Sequence, residues 1–158
     1  MKRIACMLMI ILLAGCASGP FDRKAENVVE RTPEQVLAEP ARTGDRVIWG
    51  GRIVGIVNRE NRTEIEVLSL PLRAGDRPRR DADGGRRFVV YDARFLDPVN
   101  WSPGRFITVL GTVRGVESRS VGAFPLDHPI LAADGIELWP EETSSSQVSF
   151  GVGMGVSF

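Results

Sequence analysis

The sequence predicts a mainly β domain, a small barrel of five short, curved strands with one short helix outside it. Three observations carry that prediction. β-Branched and aromatic residues collect in five short runs, glycines interrupt the longest of them, and only one stretch shows the start signals of a helix.

The helix comes first. Thr32-Pro33-Glu34-Gln35 places threonine at the N-cap, proline at the first helical position and glutamine three residues after the cap, the spacing of a capping box. Pro40 follows closely, so the helix is short, with Val36 and Leu37 as its docking side chains. Strand one is predicted over 47–57, where Gly50, Gly51 and Gly55 mark bends or a barrel corner. Residues 58–62 form a polar turn, and Thr63-Glu64-Ile65-Glu66-Val67-Leu68-Ser69-Leu70 follows with a period of two. Ile65, Val67 and Leu68 are expected to face inward, and Glu64 and Glu66 to line the wet face, as does Glu137 further on. Residues 72–87, rich in arginine, aspartate, glycine and proline, read as a long solvated loop.

Strand three is predicted over 87–91 and strand four over 105–116. Between them, Phe95-Leu96-Asp97-Pro98 and Trp101-Ser102-Pro103-Gly104 form a turn-rich connection whose aromatic side chains plug one end of the core. Pro125 and Pro129 argue against a continuous strand before the fifth run, Gly135-Ile136-Glu137-Leu138-Trp139. Five such strands fit an OB-like (oligonucleotide-binding-type) Greek-key barrel, with a small sandwich as the alternative.

Segments outside the barrel have their own chemistry. Lys2 and Arg3 precede ten apolar residues, 4–13. That is too short to span a bilayer, which needs about 20, and it fits a secretory signal. Leu13-Ala14-Gly15-Cys16 closes it and resembles the lipobox of bacterial lipoproteins. The resemblance implies cleavage after residue 15, lipidation of Cys16, and, with Ala17 rather than aspartate next, export to the outer membrane. The domain division is then 1–15 signal peptide, 16–31 lipidated tether, 32–140 barrel and 141–158 tail. The tether, with only Phe21, Val28 and Val29 as apolar residues, is expected to touch nothing. In the tail, Val148, Phe150, Val152, Met154, Val156 and Phe158 occupy every second position, and such a strand pairs elsewhere, packs on an edge or stays disordered.

Losing Lys2 and Arg3 from 20 basic residues against 20 acidic ones leaves a formal charge of −2, with no global attraction to nucleic acid. Cys6 leaves with the signal and Cys16 carries lipid, so no thiol nucleophile or disulfide remains. His128 is the only histidine and reads as structural or surface-lying. Asp81-Ala82-Asp83-Gly84 opens like a calcium loop, but Arg86 and Arg87 stand where acids are needed. The expectation is therefore no metal, no cofactor and no catalytic residues.

Trp49, Trp101 and Trp139 serve the core or line a small cleft. Arg77, Arg79 and Arg80 are the candidate anion-binding residues, guanidinium being suited to phosphate.

Val47-Ile48-Trp49-Gly50-Gly51, the run 65–72, Gly85-Arg86-Arg87-Phe88, Phe95-Leu96-Asp97-Pro98, the run 104–112 and Leu138-Trp139-Pro140 together resemble the Slp family of outer-membrane lipoproteins. The resemblance implies an outer-membrane lipoprotein without established catalytic activity, induced in some members by starvation or stationary phase. The expected role is a non-enzymatic structural or interaction module of the envelope, held by membrane lipid through acylated Cys16. An envelope protein partner is left unidentified. The alternative is a binding or sensing module for an anionic envelope molecule, through the arginine loop or the barrel mouth.

Overall fold

The computed structural model describes residues 19–141. The signal stretch, Cys16 and the alternating tail lie outside the described residues. A helix α1 (Pro33–Ala38) precedes strands β1 (Arg46–Asn58), β2 (Thr63–Leu70), β3 (Leu72–Arg73), β4 (Arg77–Pro78), β5 (Arg87–Asp92), β6 (Phe106–Val121) and β7 (Phe124–Leu138). Five of them close a barrel in the order β1-β2-β5-β7-β6, while β3 and β4 form a separate hairpin. All barrel neighbours are antiparallel except β5 and β7. This is the OB-like barrel the sequence predicts, not a sandwich.

Closure rests on β1. Its first half, Arg46 to Arg52, pairs with β6, and its second half, from Gly50, pairs with β2. Gly50, Gly51 and Arg52 therefore pair on both edges at once. A Cβ on Gly51 would fall 2.1 Å from the Leu68 carbonyl oxygen, and one on Gly50 would fall 2.6 Å from Leu72 Cδ2. Only a residue without Cβ lets the chain turn this corner. Gly115, at φ +131°, accompanies a register shift in β6 and re-aims that strand beyond the barrel.

The interior is filled by Val47, Ile53, Ile65, Val67, Phe88, Val90, Ile107, Val109, Val113 and Leu131. Trp49 meets Phe88 edge-on, with centroids 5.2 Å apart. Leu68 is only half-buried, unlike Ile65 and Val67. The capping box is present: Thr32 Oγ1 accepts from the Gln35 amide, and Gln35 Oε1 accepts from the Thr32 amide. Val36 is fully buried and Leu37 half-buried.

Besides Leu68, and residues 72–87, which carry the β3–β4 hairpin with Asp76 and Pro78 buried instead of forming a wholly solvated loop, four local expectations change. β7 runs through Pro125 and Pro129, paired with β6 along its whole length. The prolines are tolerated because β5 meets β7 only at Ile130 to Ala132, so the earlier residues lie on an edge where a missing N–H breaks no ladder. The same pairing extends β6 to Val121. In the β5–β6 connection, Leu96 plugs the core while Phe95 is 74% exposed, because the carbonyl of Leu96 is pinned by Asn58 Nδ2 and its amide by Thr63 Oγ1. Glu64 leaves the wet face and is buried.

The fourth change concerns the tether. Residues 19–31 lie against the barrel: a Cβ on Gly135 would fall 2.8 Å from Phe21 Cε1. Arg23 pairs with Asp76 at 2.6 Å and the Val29 amide donates to the Arg46 carbonyl at 2.8 Å. Arg31 is buried, paired with Asp45 at 2.9 Å and donating to the carbonyls of Glu39 and Arg42. Its own carbonyl accepts from Trp49 Nε1 at 2.6 Å. A segment polar in composition docks because its charges meet partners that only the folded barrel presents.

Gly51→Ala is expected to destabilise the domain by about 2–3 kcal/mol, the cost of overpacking against rigid backbone. Gly55→Ala, where an added Cβ meets nothing within 4 Å, is expected to be neutral or slightly stabilising. Urea denaturation of both variants checks the contrast.

Candidate functional site

The β3–β4 hairpin lies on the outer wall of the barrel over the β1 corner. Thr108 Oγ1 donates to the Asp76 carbonyl at 2.6 Å, and Leu72 and Pro78 cover Gly50. Asp76, at φ +56°, and Gly75, at φ +77°, make the reversal between the two short strands.

The three candidate arginines divide at this hairpin. Arg77 lies over the Trp139 ring at 4.5 Å and Arg80 over the Phe106 ring at 4.6 Å. Arg80 also donates to the Pro140 carbonyl. Arg79 turns away to Asp81, at 3.5 Å.

Two further arginines join the first pair through register. Arg73 stands opposite Arg77 in the hairpin, and Arg52 stands opposite Phe106 in the barrel. Both are exposed. Arg105 borders the group, donating to the carbonyls of Asn100 and Trp139 and lying 3.5 Å from Glu141. Arg77 and Arg80 lay their guanidinium groups on the aromatic faces themselves, a cation–π arrangement. The only sequence signal for Arg52 was its place beside the Gly50-Gly51 corner, and that says nothing of a loop arriving from residue 72 onward.

The three tryptophans do not share a cleft. Trp49 is buried beneath the N-terminal segment, and Trp139 is buried with its Nε1 donating to Thr108 Oγ1. Trp101 packs partly buried on the core. His128 is buried, its Nδ1 2.8 Å from the Leu126 carbonyl and its Nε2 3.6 Å from Glu66 of β2. Among the described residues no group of three or more His, Cys, Asp or Glu side chains could hold a metal ion, and Asp81 and Asp83 form no such group.

A second cluster was not visible in the sequence. Glu64, its side chain 6% exposed, accepts from Arg62 Nη2 at 2.8 Å and Arg119 Nη1 at 2.9 Å. Glu117 accepts the Tyr91 hydroxyl and Arg119 Nη2. Arg62 and Arg119 both stand over the Tyr91 ring, at 4.1 and 5.7 Å.

Burial works against ionisation of Glu64, but the hydrogen bonds from Arg119 and Arg62 outweigh it and hold its pKa below the ordinary value. Glu117 is lowered in the same way by Tyr91 and Arg119. Tyr91 is raised by burial and by its bond to Glu117. In barrels of this class, this strand face and the adjoining loops take ligands. Here the surface is closed by its own ion pairs, which tie the projecting β6–β7 arm to β2 and β5.

Carboxylates with lowered folded pKa values add stability that is present above their unfolded pKa and lost as pH falls through the folded one. Unfolding followed by urea is therefore expected to show stability falling as pH drops below about 4.3, the unperturbed glutamate value. In Arg119→Gln that acid loss is shallower, and at pH 7 the variant is less stable by about 1–3 kcal/mol because Glu64 stays buried with a partner missing.

The sequence model of the outer membrane lipoprotein Slp family matches residues 13–154. Among curated relatives, outer membrane protein Slp of Escherichia coli K12 is 29% identical over 141 residues, covering 87% of this chain and 74% of that protein. The uncharacterized lipoprotein YeaY of the same strain is 27% identical over 143 residues, covering 87% and 72%. Similar solved structures include the mitochondrial single-stranded DNA binding protein Rim1 of S. cerevisiae, at TM-score 0.38 and 17% identity, covering 60% of this chain and 94% of that one. The small single-stranded DNA-binding protein from Streptomyces coelicolor gives 0.39 and 15%, with the same coverage. With the family match covering residues 13–154, the chain belongs to the outer membrane lipoprotein Slp family and is a lipid-anchored protein of the outer membrane.

Proposed function

We propose that the chain is a non-enzymatic structural or interaction module of the envelope, made as a precursor whose residues 1–15 are removed and held to the membrane by lipid on Cys16. The observation that carries this reading is the docked segment 19–31. It fastens the barrel to the chain only three residues beyond the lipidation cysteine, with Arg31 buried against Asp45 and Phe21 against Gly135. An anchor joined this way holds a rigid domain at the membrane surface rather than releasing it on a long leash.

The non-enzymatic part is supported by the state of the ionisable cluster. Glu64 and Glu117 are engaged by Arg62, Arg119 and Tyr91 and are held ionised, whereas a general acid or base works best with a pKa near the operating pH. Starvation or stress induction is the physiological setting that membership of the family suggests, and comparing protein levels in exponential and stationary cells tests it.

For the anchor, two or three acyl chains on one residue bind far more durably than a single myristoyl chain. Cys16→Ser is expected to abolish palmitate incorporation, leave residues 1–15 uncleaved by the lipoprotein route, and move the protein out of the outer-membrane fraction. Retention of label in that variant would sink the anchor assignment.

A further inference from the structure

We propose that the arginine face formed by Arg52, Arg73 and Arg77 is a membrane-apposed surface that receives the anionic, phosphate-bearing headgroups of the bilayer in which the protein's own lipid is anchored. The inference rests on the reading of Cys16 as the anchor and adds an orientation to it.

The first observation is where the described chain begins. Gly19 packs on the β3–β4 turn so closely that a Cβ on it would fall 1.9 Å from Asp76 Oδ2. Cys16 is three residues earlier, and three residues reach at most roughly 11 Å. Whatever path they take, the acylated cysteine is within that distance of the hairpin that carries Arg73 and Arg77. Arg23 fixes the approach by pairing with Asp76 at 2.6 Å.

The second observation is the charge at that place. Arg52 and Arg73 are exposed, and Arg77 and Arg80 lie over Trp139 and Phe106. Arg105 stands beside them. Among the described residues, Asp76 is taken by Arg23, Asp81 pairs with Arg79, Glu141 lies on Arg105, and Glu137 stands opposite Thr108 on the same wall. Among the described residues arginines outnumber carboxylates here, although removal of residues 1–15 leaves the chain slightly acidic overall.

The third is chemical fit. Guanidinium forms bidentate hydrogen bonds with phosphate oxygens. The β6–β7 arm, by contrast, ends at the opposite end of β6 from Phe106, so this orientation points its exposed tip, Phe124 included, away from the bilayer.

The test uses the full chain, processed in a Gram-negative host and reconstituted into phosphatidylcholine vesicles with or without phosphatidic acid. With Cys6 removed and Cys16 blocked by lipid, a cysteine at Ala74→Cys in the hairpin turn or Ala123→Cys at the arm tip is the sole thiol for a fluorophore. The Ala74 probe is expected to be quenched by a headgroup-attached quencher in phosphatidic acid vesicles at low salt, and the Ala123 probe to be spared. Each arginine removed in Arg52→Gln, Arg73→Gln and Arg77→Gln is expected to lower the ratio of apposed to free molecules about fivefold.

Arg52→Gln/Arg73→Gln carries the test alone if removing Arg77 from Trp139 unfolds the domain, as thermal unfolding would report. Equal quenching of the two probes, quenching indifferent to phosphatidic acid, or a charge-depleted variant that behaves as the parent overturns the proposal. Abolition of quenching by inorganic phosphate at unchanged ionic strength also overturns it, in favour of a discrete anion site. The anchor reading fails separately: it falls if Cys16→Ser stays on vesicles of phosphatidylcholine alone, whereas the orientation falls if that variant is released but the lipidated protein with Cys16 intact leaves its Ala74 probe unquenched on phosphatidic acid vesicles.

Discussion

One strand has to bond on both edges at a single corner, and the molecule is organised around that demand. At Gly50, Gly51 and Arg52, β1 pairs with β6 on one side and β2 on the other. The Leu68 carbonyl comes so near Gly51 that no side chain fits between them. Because the corner is bare, its outer surface accepts the side chains of Leu72 and Pro78, which seats the β3–β4 hairpin. The hairpin in turn brings Arg73 and Arg77 beside Arg52 and the Trp139 ring. A backbone constraint inside the barrel thus decides where positive charge gathers outside it.

The N-terminal segment depends on the same frame. Arg31 is a buried cation, and such a group is costly unless fully partnered. Asp45 and the carbonyls of Glu39 and Arg42 supply those partners. The indole of Trp49, itself in the core, then binds the Arg31 carbonyl. One residue so joins the incoming segment, the end of α1 and the first barrel strand, which fastens residues 19–31 to the barrel.

Charge is handled differently on two parts of the surface. Around Tyr91, arginines and glutamates neutralise one another, and the network works as a clasp holding the β6–β7 arm down. Around Trp139, Arg77 and Arg80 rest on aromatic rings, with Arg52 and Arg73 exposed beside them. A binding surface of the nucleic-acid type needs exposed aromatic platforms in a basic groove. Here Tyr91 is overlaid by Arg62 and Arg119, so that ring is covered by the protein's own guanidinium groups.

Local patterns determined much of this protein without tertiary help. The period of two from Thr63 to Leu70 gave β2 its bounds, Thr32-Pro33-Glu34-Gln35 gave α1 its capped start, and Gly50-Gly51 marked the corner, because alternation, capping and the absence of a Cβ are properties of neighbouring residues. The lipobox likewise lies in consecutive residues and pointed to the family. Tertiary structure alone decided that β7 passes through Pro125 and Pro129, since whether a proline costs a hydrogen bond depends on whether another strand lies beside it. It also decided that Glu64 is buried, that Arg31 docks, and that Arg52 joins Arg77 rather than Arg79. Each of these depends on a partner distant in sequence, whose arrival is fixed by barrel closure and by no pattern within the segment itself.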